Sequence, residues 1–278
     1  MNPKNTDGIL RESPEAIKEQ VRDRYGEIAR KRSGCCGAVS SCCGVSDRVG
    51  YRAEDLEQLP AGADLGLGCG NPTALDEIRS GETVLDLGSG AGIDAFLAAR
   101  KVGPEGRVIG VDMTTDMILR ARQNAAKGGH TNIEFVQAEI ERLPLADQSV
   151  DVVLSNCVIN LSPDKGQVFA EAFRVLRAGG RMMISDIVLA RPLPPAWEKS
   201  VHAYVGCVAG AQLKDEYLDL IRQAGFREVQ LLKEVSYSTL FNEQDPFLLQ
   251  AIQEIGATLA QAREVLSSIL SISVKMLK

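Results

Sequence analysis

The sequence is poor in several things, and each shortage narrows the chemistry. It carries two histidines, His130 and His202, in 278 residues. Histidine is the usual general base near neutral pH, so a mechanism built on repeated proton abstraction is undersupplied. No long run of lysine and arginine occurs and the formal net charge is −6. That excludes the electrostatic footprint of a nucleic-acid binder. No apolar stretch reaches bilayer length, and Met1-Asn2-Pro3-Lys4 opens no signal-peptide core. The expectation is therefore a cytoplasmic protein with no membrane partner. Seven cysteines are present with no C-x-x-C spacing among them. An odd number argues against a fully paired secreted framework, and the missing spacing argues against the common zinc sites.

What is present begins with apolar content of 45%, enough for one large core or two modest ones. The chain is organised around Val84-Leu85-Asp86-Leu87-Gly88-Ser89-Gly90-Ala91-Gly92. A short apolar run enters glycines at alternate positions, and a helical pattern (Phe96, Leu97, Ala99) follows Asp94. This predicts a strand, a tight turn and a helix start, the opening of a nucleotide-binding α/β domain. The glycines run G-x-G-x-G rather than G-x-G-x-x-G, and Asp86 stands just before them. A carboxylate there repels a polyphosphate and suits a ligand carrying an ammonium group. S-adenosylmethionine (SAM), with an α-ammonium and a sulfonium, has that character. Asp112 falls twenty residues after Gly92 at the end of the next strand. An acid at that separation commonly accepts hydrogen bonds from ribose hydroxyls, and capping the following helix is the competing role.

Around this turn the sequence predicts alternating elements. Strands are expected at Thr83–Leu87, Arg107–Asp112, Ile133–Gln137, Val150–Ser155 and Arg181–Asp186, with a helix over Thr115–Ala126. Another helix should start near Ser162-Pro163-Asp164 and stop at Gly179-Gly180. Before the core, Ser13-Pro14 caps an amphipathic helix running to about Arg32, and Tyr51–Leu59 is a second short helix. Beyond it, helices are expected at Trp197–Val205, Lys214–Ala224 and Asp245–Ser267, with strands at Val229–Tyr237 and Ile269–Leu277. Three parts follow: 1–72, a helix with cysteine-rich loops; 73–190, the α/β core; and 191–278, an α+β substrate part completing the sheet.

The cysteines sit in loops. Cys35, Cys36, Cys42 and Cys43 lie among glycines and serines, and Cys69 stands between Gly68 and Gly70, a position for a reachable thiol. Cys157 follows the Val150–Ser155 strand, and open α/β sheets bind ligands outside the carboxyl ends of their strands. Glu139 or Glu141, past the third strand, is placed near where an adenine could be held, or is simply solvated.

Residues 75–190 resemble class I SAM-dependent methyltransferases. The paired cysteines, Gly66-Leu67-Gly68-Cys69-Gly70-Asn71-Pro72, Ser155-Asn156-Cys157-Val158-Ile159-Asn160-Leu161 and Gly206-Cys207 together resemble bacterial and archaeal arsenite methyltransferases. The resemblance implies a Rossmann-like, mostly parallel twisted sheet flanked by helices. It implies SAM contacts from Asp86, Gly88, Gly90, Gly92 and Asp112, adenine neighbours Met113 and Ile140, and Asn156 facing the cofactor cleft. Cys157 and Cys207 match the cysteines that hold trivalent arsenic, and Cys69 a third thiol used in turnover. The fourth comes from the N-terminal loop, where Cys42 or Cys43 is nearer to Cys69 than Cys35 or Cys36. The chemistry agrees, because soft thiolates select a soft metalloid and thiolate-bound arsenic keeps a lone pair that needs no deprotonation. Remaining thiols would reduce the oxidised arsenic, and glutathione or a thioredoxin-like partner would reset the disulfide. A monomer is expected. The competing readings are an organic acceptor of quinone or sterol type, a structural zinc, and a metalloid sensor or thiol switch.

Overall fold

The computed structural model describes residues 13–30, 51–68, 70–71, 78–194, 197, 210–240, 249, 252–253 and 256–278. One seven-stranded sheet runs through it in the order β3-β2-β1-β4-β5-β7-β6. Its first five strands are β1 (Thr83–Leu87), β2 (Arg107–Asp112), β3 (Ile133–Gln137), β4 (Val150–Asn156) and β5 (Leu176–Leu189). These pair in parallel, whereas β7 (Ile269–Leu277) runs antiparallel between β5 and β6 (Arg227–Ser236). Buried parallel strands need apolar side chains on both faces, and β1 shows both. Val84 joins Phe96, Val108 and Phe135 on one side of the sheet; Leu85 and Leu87 join Ile109, Phe169 and Met182 on the other.

Helices cover both faces. The first, α1 (Pro14–Arg30), starts as the sequence predicts, since Ser13 Oγ accepts the Ala16 N–H at 3.2 Å. A short helix, α2 (Ala53–Glu57), follows. Next come α3 (Ile93–Val102) after β1, and α4 (Thr115–Gly128) after β2. Helix α1 lies on α4, where Arg120 donates to the Ala29 carbonyl at 2.9 Å and Arg30 pairs with Asp116. Helix α5 (Lys165–Val175) precedes β5, α6 (Lys214–Gln223) precedes β6, a single turn α7 (Tyr237–Leu240) follows β6, and α8 (Leu259–Ser268) precedes β7. Aromatic edges interlock beneath them: Phe169 meets Tyr217 at 5.4 Å and Phe96 meets Phe135 at 5.9 Å.

Four expected boundaries are corrected. The helix before β5 stops at Val175, not at Gly179-Gly180, because Leu176 turns extended and pairs with Val150. The pairing resumes only at Val152 with Arg181, so residues 177–180 form an irregularity within a strand far longer than Arg181–Asp186. Near the C-terminus no single helix fills Asp245–Ser267. Gly256 adopts φ +69°, and Thr258 and Gln261 form a capping box that starts α8 at Leu259. Tyr237 begins a helical turn rather than ending a strand. The expectations for the 31–50 cysteine loop, and for the helix following Trp197, fall outside the described residues.

Candidate active site

The carboxyl ends of β1, β2 and β4 open on one pocket lined by Asp86, Gly88, Gly90, Asp112, Asn156 and Cys157. Met113 and Ile140 line it too, while α1 covers it with Lys18, Val21 and Tyr25. The glycines account for the shape of its floor. Gly88 has φ +65°, and a Cβ there would meet the Val158 side chain at 2.3 Å. Gly90, at φ +53°, has nothing within 4 Å of an added Cβ, so its bare backbone faces the pocket. Gly92, the residue before α3, has no room for a Cβ beside Phe96.

Asp112 joins this turn to the next helix. One carboxylate oxygen accepts the Gly90 N–H at 3.0 Å and the other accepts the Thr114 N–H at 2.8 Å, immediately before α4. Asp112 does not itself cap α4, whose N-cap is Thr114; it holds the Thr114 N–H and lines the pocket. Asp86 is 2% exposed, and its Oδ2 has no hydrogen-bond partner among the described residues. Ser89 Oγ, buried in the same turn, is equally without one. Leaving a buried carboxylate oxygen without a partner is costly unless something arrives to meet it.

Electrostatics make the same point. Burial pushes Asp86 well above the usual carboxylate range, and the charges of Asp94 and Asp112 push further in the same direction. Burial likewise raises Asp94 to about 6, against hydrogen bonds from Asn156 and Tyr51 that pull it down. Asp112 is also raised by burial, opposed by the Thr114 and Gly90 N–H groups. Lys18 reaches the pocket wall, but its ammonium is held by Glu139 at 2.8 Å and Glu141 at 3.2 Å. The pocket is thus a cluster of buried carboxyls whose charged forms a cationic ligand would stabilise. Of the two acids past β3, Glu141 lines the pocket and accepts from Ser162 Oγ, whereas Glu139 turns to Lys18 and Arg22.

Cys157 is the one cysteine among the described residues. It is 5% exposed, lines the pocket and has φ +59°. A left-handed backbone costs a non-glycine residue about 1–2 kcal/mol, so glycine is the default there. The Cys157 N–H bonds to the Ser185 carbonyl at 2.9 Å, which anchors the turn. A side chain retained in a strained turn at a strand's carboxyl end is the kind of outlier that marks a functional position. Its sulfur is in a disulfide. Cys69, Cys207, Cys35, Cys36, Cys42 and Cys43 fall outside the described residues. The neighbours of Cys69 do not: a Cβ on Gly68 would lie 2.7 Å from Asn156 Nδ2, and one on Gly70 would lie 2.4 Å from Ser185 Cβ.

Sequence reasoning assigned no role to Tyr51, Asp94 or Lys18. Asp94 reads as an ordinary acid in the first turn of a helix, and Tyr51 as the first residue of a short one. Only their convergence on Asn156 and the pocket distinguishes them.

Residues 78–225 match the family model of a methyltransferase domain. An arsenite methyltransferase of Halobacterium salinarum is 44% identical over 94% of this chain and 69% of its own length. The chain belongs to the arsenite methyltransferase family. A second family member, from Aquipseudomonas alcaligenes, is 37% identical over 78% of this chain and 64% of its own length. The chain therefore spans about two thirds of these relatives. Among solved structures, an arsenic(III) S-adenosylmethionine methyltransferase from Chlamydomonas reinhardtii superimposes with a TM-score of 0.62 at 34% identity, covering 84% of this chain and 73% of that one. The sheet described above is accordingly the class I Rossmann-like methyltransferase fold.

Proposed function

We propose that this member of the arsenite methyltransferase family transfers methyl groups from SAM to trivalent arsenic held by cysteine thiolates. The observation that carries the reading is Cys157, kept in a strained turn beside a pocket of buried carboxyls. The residues fit SAM. The unpartnered Asp86 Oδ2 and the raised carboxyls call for a cation, and the open face at Gly90 leaves room for a ligand against backbone. Asp86 would take the ammonium and Asp112 the ribose hydroxyls, with Met113 and Ile140 beside the adenine. SAM supplies an electrophilic methyl group on its sulfonium.

The chain's part is to align. As a reduced thiolate Cys157 would bind arsenic, and Cys207 and Cys69 are proposed to share it, since trivalent arsenic is soft and thiophilic. Nothing needs to remove a proton from an arsenic lone pair, so proximity is the main contribution asked of the protein. Methylation would commit the arsenic lone pair to the new As–C bond, a two-electron oxidation from As(III) to As(V), with the demethylated thioether of SAM as leaving group. Two protein thiolates would return those electrons and become a disulfide, which glutathione or a thioredoxin-like dithiol would reduce. We also propose a cytoplasmic location; among the described residues no helix is long and apolar enough to cross a membrane.

The test is methyl transfer from labelled SAM to arsenite with excess thiol, for wild type and Cys157→Ser. Labelled methylarsenicals from wild type and none from the variant are expected, with SAM binding intact in both. Transfer undiminished by the substitution would remove Cys157 from the site. Binding of SAM without transfer to arsenite would point to an organic acceptor.

A further inference from the structure

Beside the cofactor residues lies a second buried network. Asp94 is 3% exposed in the first turn of α3, and Tyr51 is 4% exposed just before α2. The Tyr51 hydroxyl donates to Asp94 Oδ1 at 2.8 Å, which turns its oxygen lone pairs away from the carboxylate. Asn156 Nδ2 donates to that oxygen at 2.8 Å, to the Gly70 carbonyl at 2.7 Å and, more weakly, to Asp94 Oδ2 at 3.1 Å. Asn156 Nδ2 is the common donor: one N–H goes to the Gly70 carbonyl and the other to the Tyr51–Asp94 pair, which ends in an anion. The anion strengthens the Tyr51–Asp94 and Asn156–Tyr51 links, and by fixing the Asn156 amide it aims the remaining N–H at the Gly70 carbonyl. The loop carrying Gly70 sits with no slack, as the close approaches of Gly68 and Gly70 to Asn156 and Ser185 show.

We propose that Tyr51 and Asp94 are positioning residues. The ionised Asp94 carboxylate orients Tyr51 and Asn156, and Asn156 thereby holds the glycine-rich loop against the carboxyl end of β4, next to Cys157. The loop's docking stands on the hydrogen bonds alone; its effect on turnover rests on the function proposed above. The groups facing Asp94 are Tyr51, Asn156 and the carboxyls of Asp64, Asp86 and, across the pocket, Asp112; Lys18 on α1 lines the same pocket but is taken by Glu139 and Glu141. Asp94 loses its charge as pH falls through about 6. Docking should loosen over the same range.

The test is amide hydrogen exchange over residues 60–71 in the ligand-free full chain from pH 5 to 8, corrected for intrinsic rates. In wild type, protection at Gly70 and Asn71 should drop about five- to tenfold as Asp94 protonates, the difference between a charged and a neutral hydrogen bond. Tyr51→Phe removes a donor that favours the anion, so the drop should move up by about one pH unit. Asp94→Asn should leave low, pH-independent protection. In Tyr51→Phe, kcat for arsenite methylation should fall about tenfold with the Kd for SAM changed less than about threefold. A flat wild-type profile overturns the proposal, as does an unshifted profile in a folded Tyr51→Phe protein or full protection in Asp94→Asn. Absence of arsenite methylation by wild type would overturn the proposed function and leave the exchange result standing.

Discussion

Replacing Asp86 by Asn changes one charge and almost no volume, and the two consequences have opposite signs. Asn Oδ1 can still accept the Ala95 N–H that Asp86 accepts, and its new amide takes the place of the unpartnered Oδ2 beside Asp94 and Asp112. In the ligand-free protein a carboxyl raised by burial and by two like charges binds its proton more tightly folded than unfolded. Such a group opposes folding increasingly as pH rises from the unfolded carboxyl value, about 4, through its folded value. Asp86→Asn should therefore stabilise the ligand-free protein at pH 7–8, and the gain should fade toward pH 4. The same substitution removes the charge offered to the ammonium of SAM. A hydrogen bond to a charged group is worth about 1.5–3 kcal/mol, so the Kd for SAM should rise roughly 10- to 150-fold. Urea unfolding across pH and calorimetric titration with SAM measure the two effects. Unchanged SAM affinity, or a destabilisation that is the same at pH 5 and pH 8, would refute the reasoning.

Three further substitutions test other parts of the fold. Gly88→Ala must bear both the φ of +65° and a contact with Val158, and should lose about 2–4 kcal/mol in denaturant unfolding. Gly90→Ala meets nothing, so it should lose only about 1 kcal/mol of stability but weaken SAM binding more than stability, through the Cβ added to the pocket floor. Tyr217 donates to Asp186 Oδ2 at 2.7 Å, and burial raises Asp186 to about 6 despite this bond. In Tyr217→Phe the buried carboxylate loses that donor, so a cost of about 1–3 kcal/mol should appear at pH 8 and shrink below pH 5, where Asp186 is protonated; urea unfolding at the two pH values reads it.

The sequence alone determined the parts that local chemistry dictates. Apolar runs separated by helical stretches specify a parallel sheet, because strands buried on both faces favour apolar side chains on both. Gly88, Gly90 and Gly92 specify the tight turn after β1, because positive φ and close approach leave glycine as the default residue. The position of Asp86 and the spacing to Asp112 follow from the same local repeat. The end of α5, by contrast, does not follow the Gly179-Gly180 signal, because pairing of Leu176 with Val150 is a contact between distant segments and outweighs it. Tertiary structure alone decided that Tyr51, Asp94 and Asn156 meet, across sequence separations of 43, 62 and 105 residues. It also decided that Cys157 takes a left-handed backbone, since that turn is held by the Ser185 carbonyl of a neighbouring strand. Periodicity reports what a residue does for its own element; which buried charges face one another depends on how elements pack.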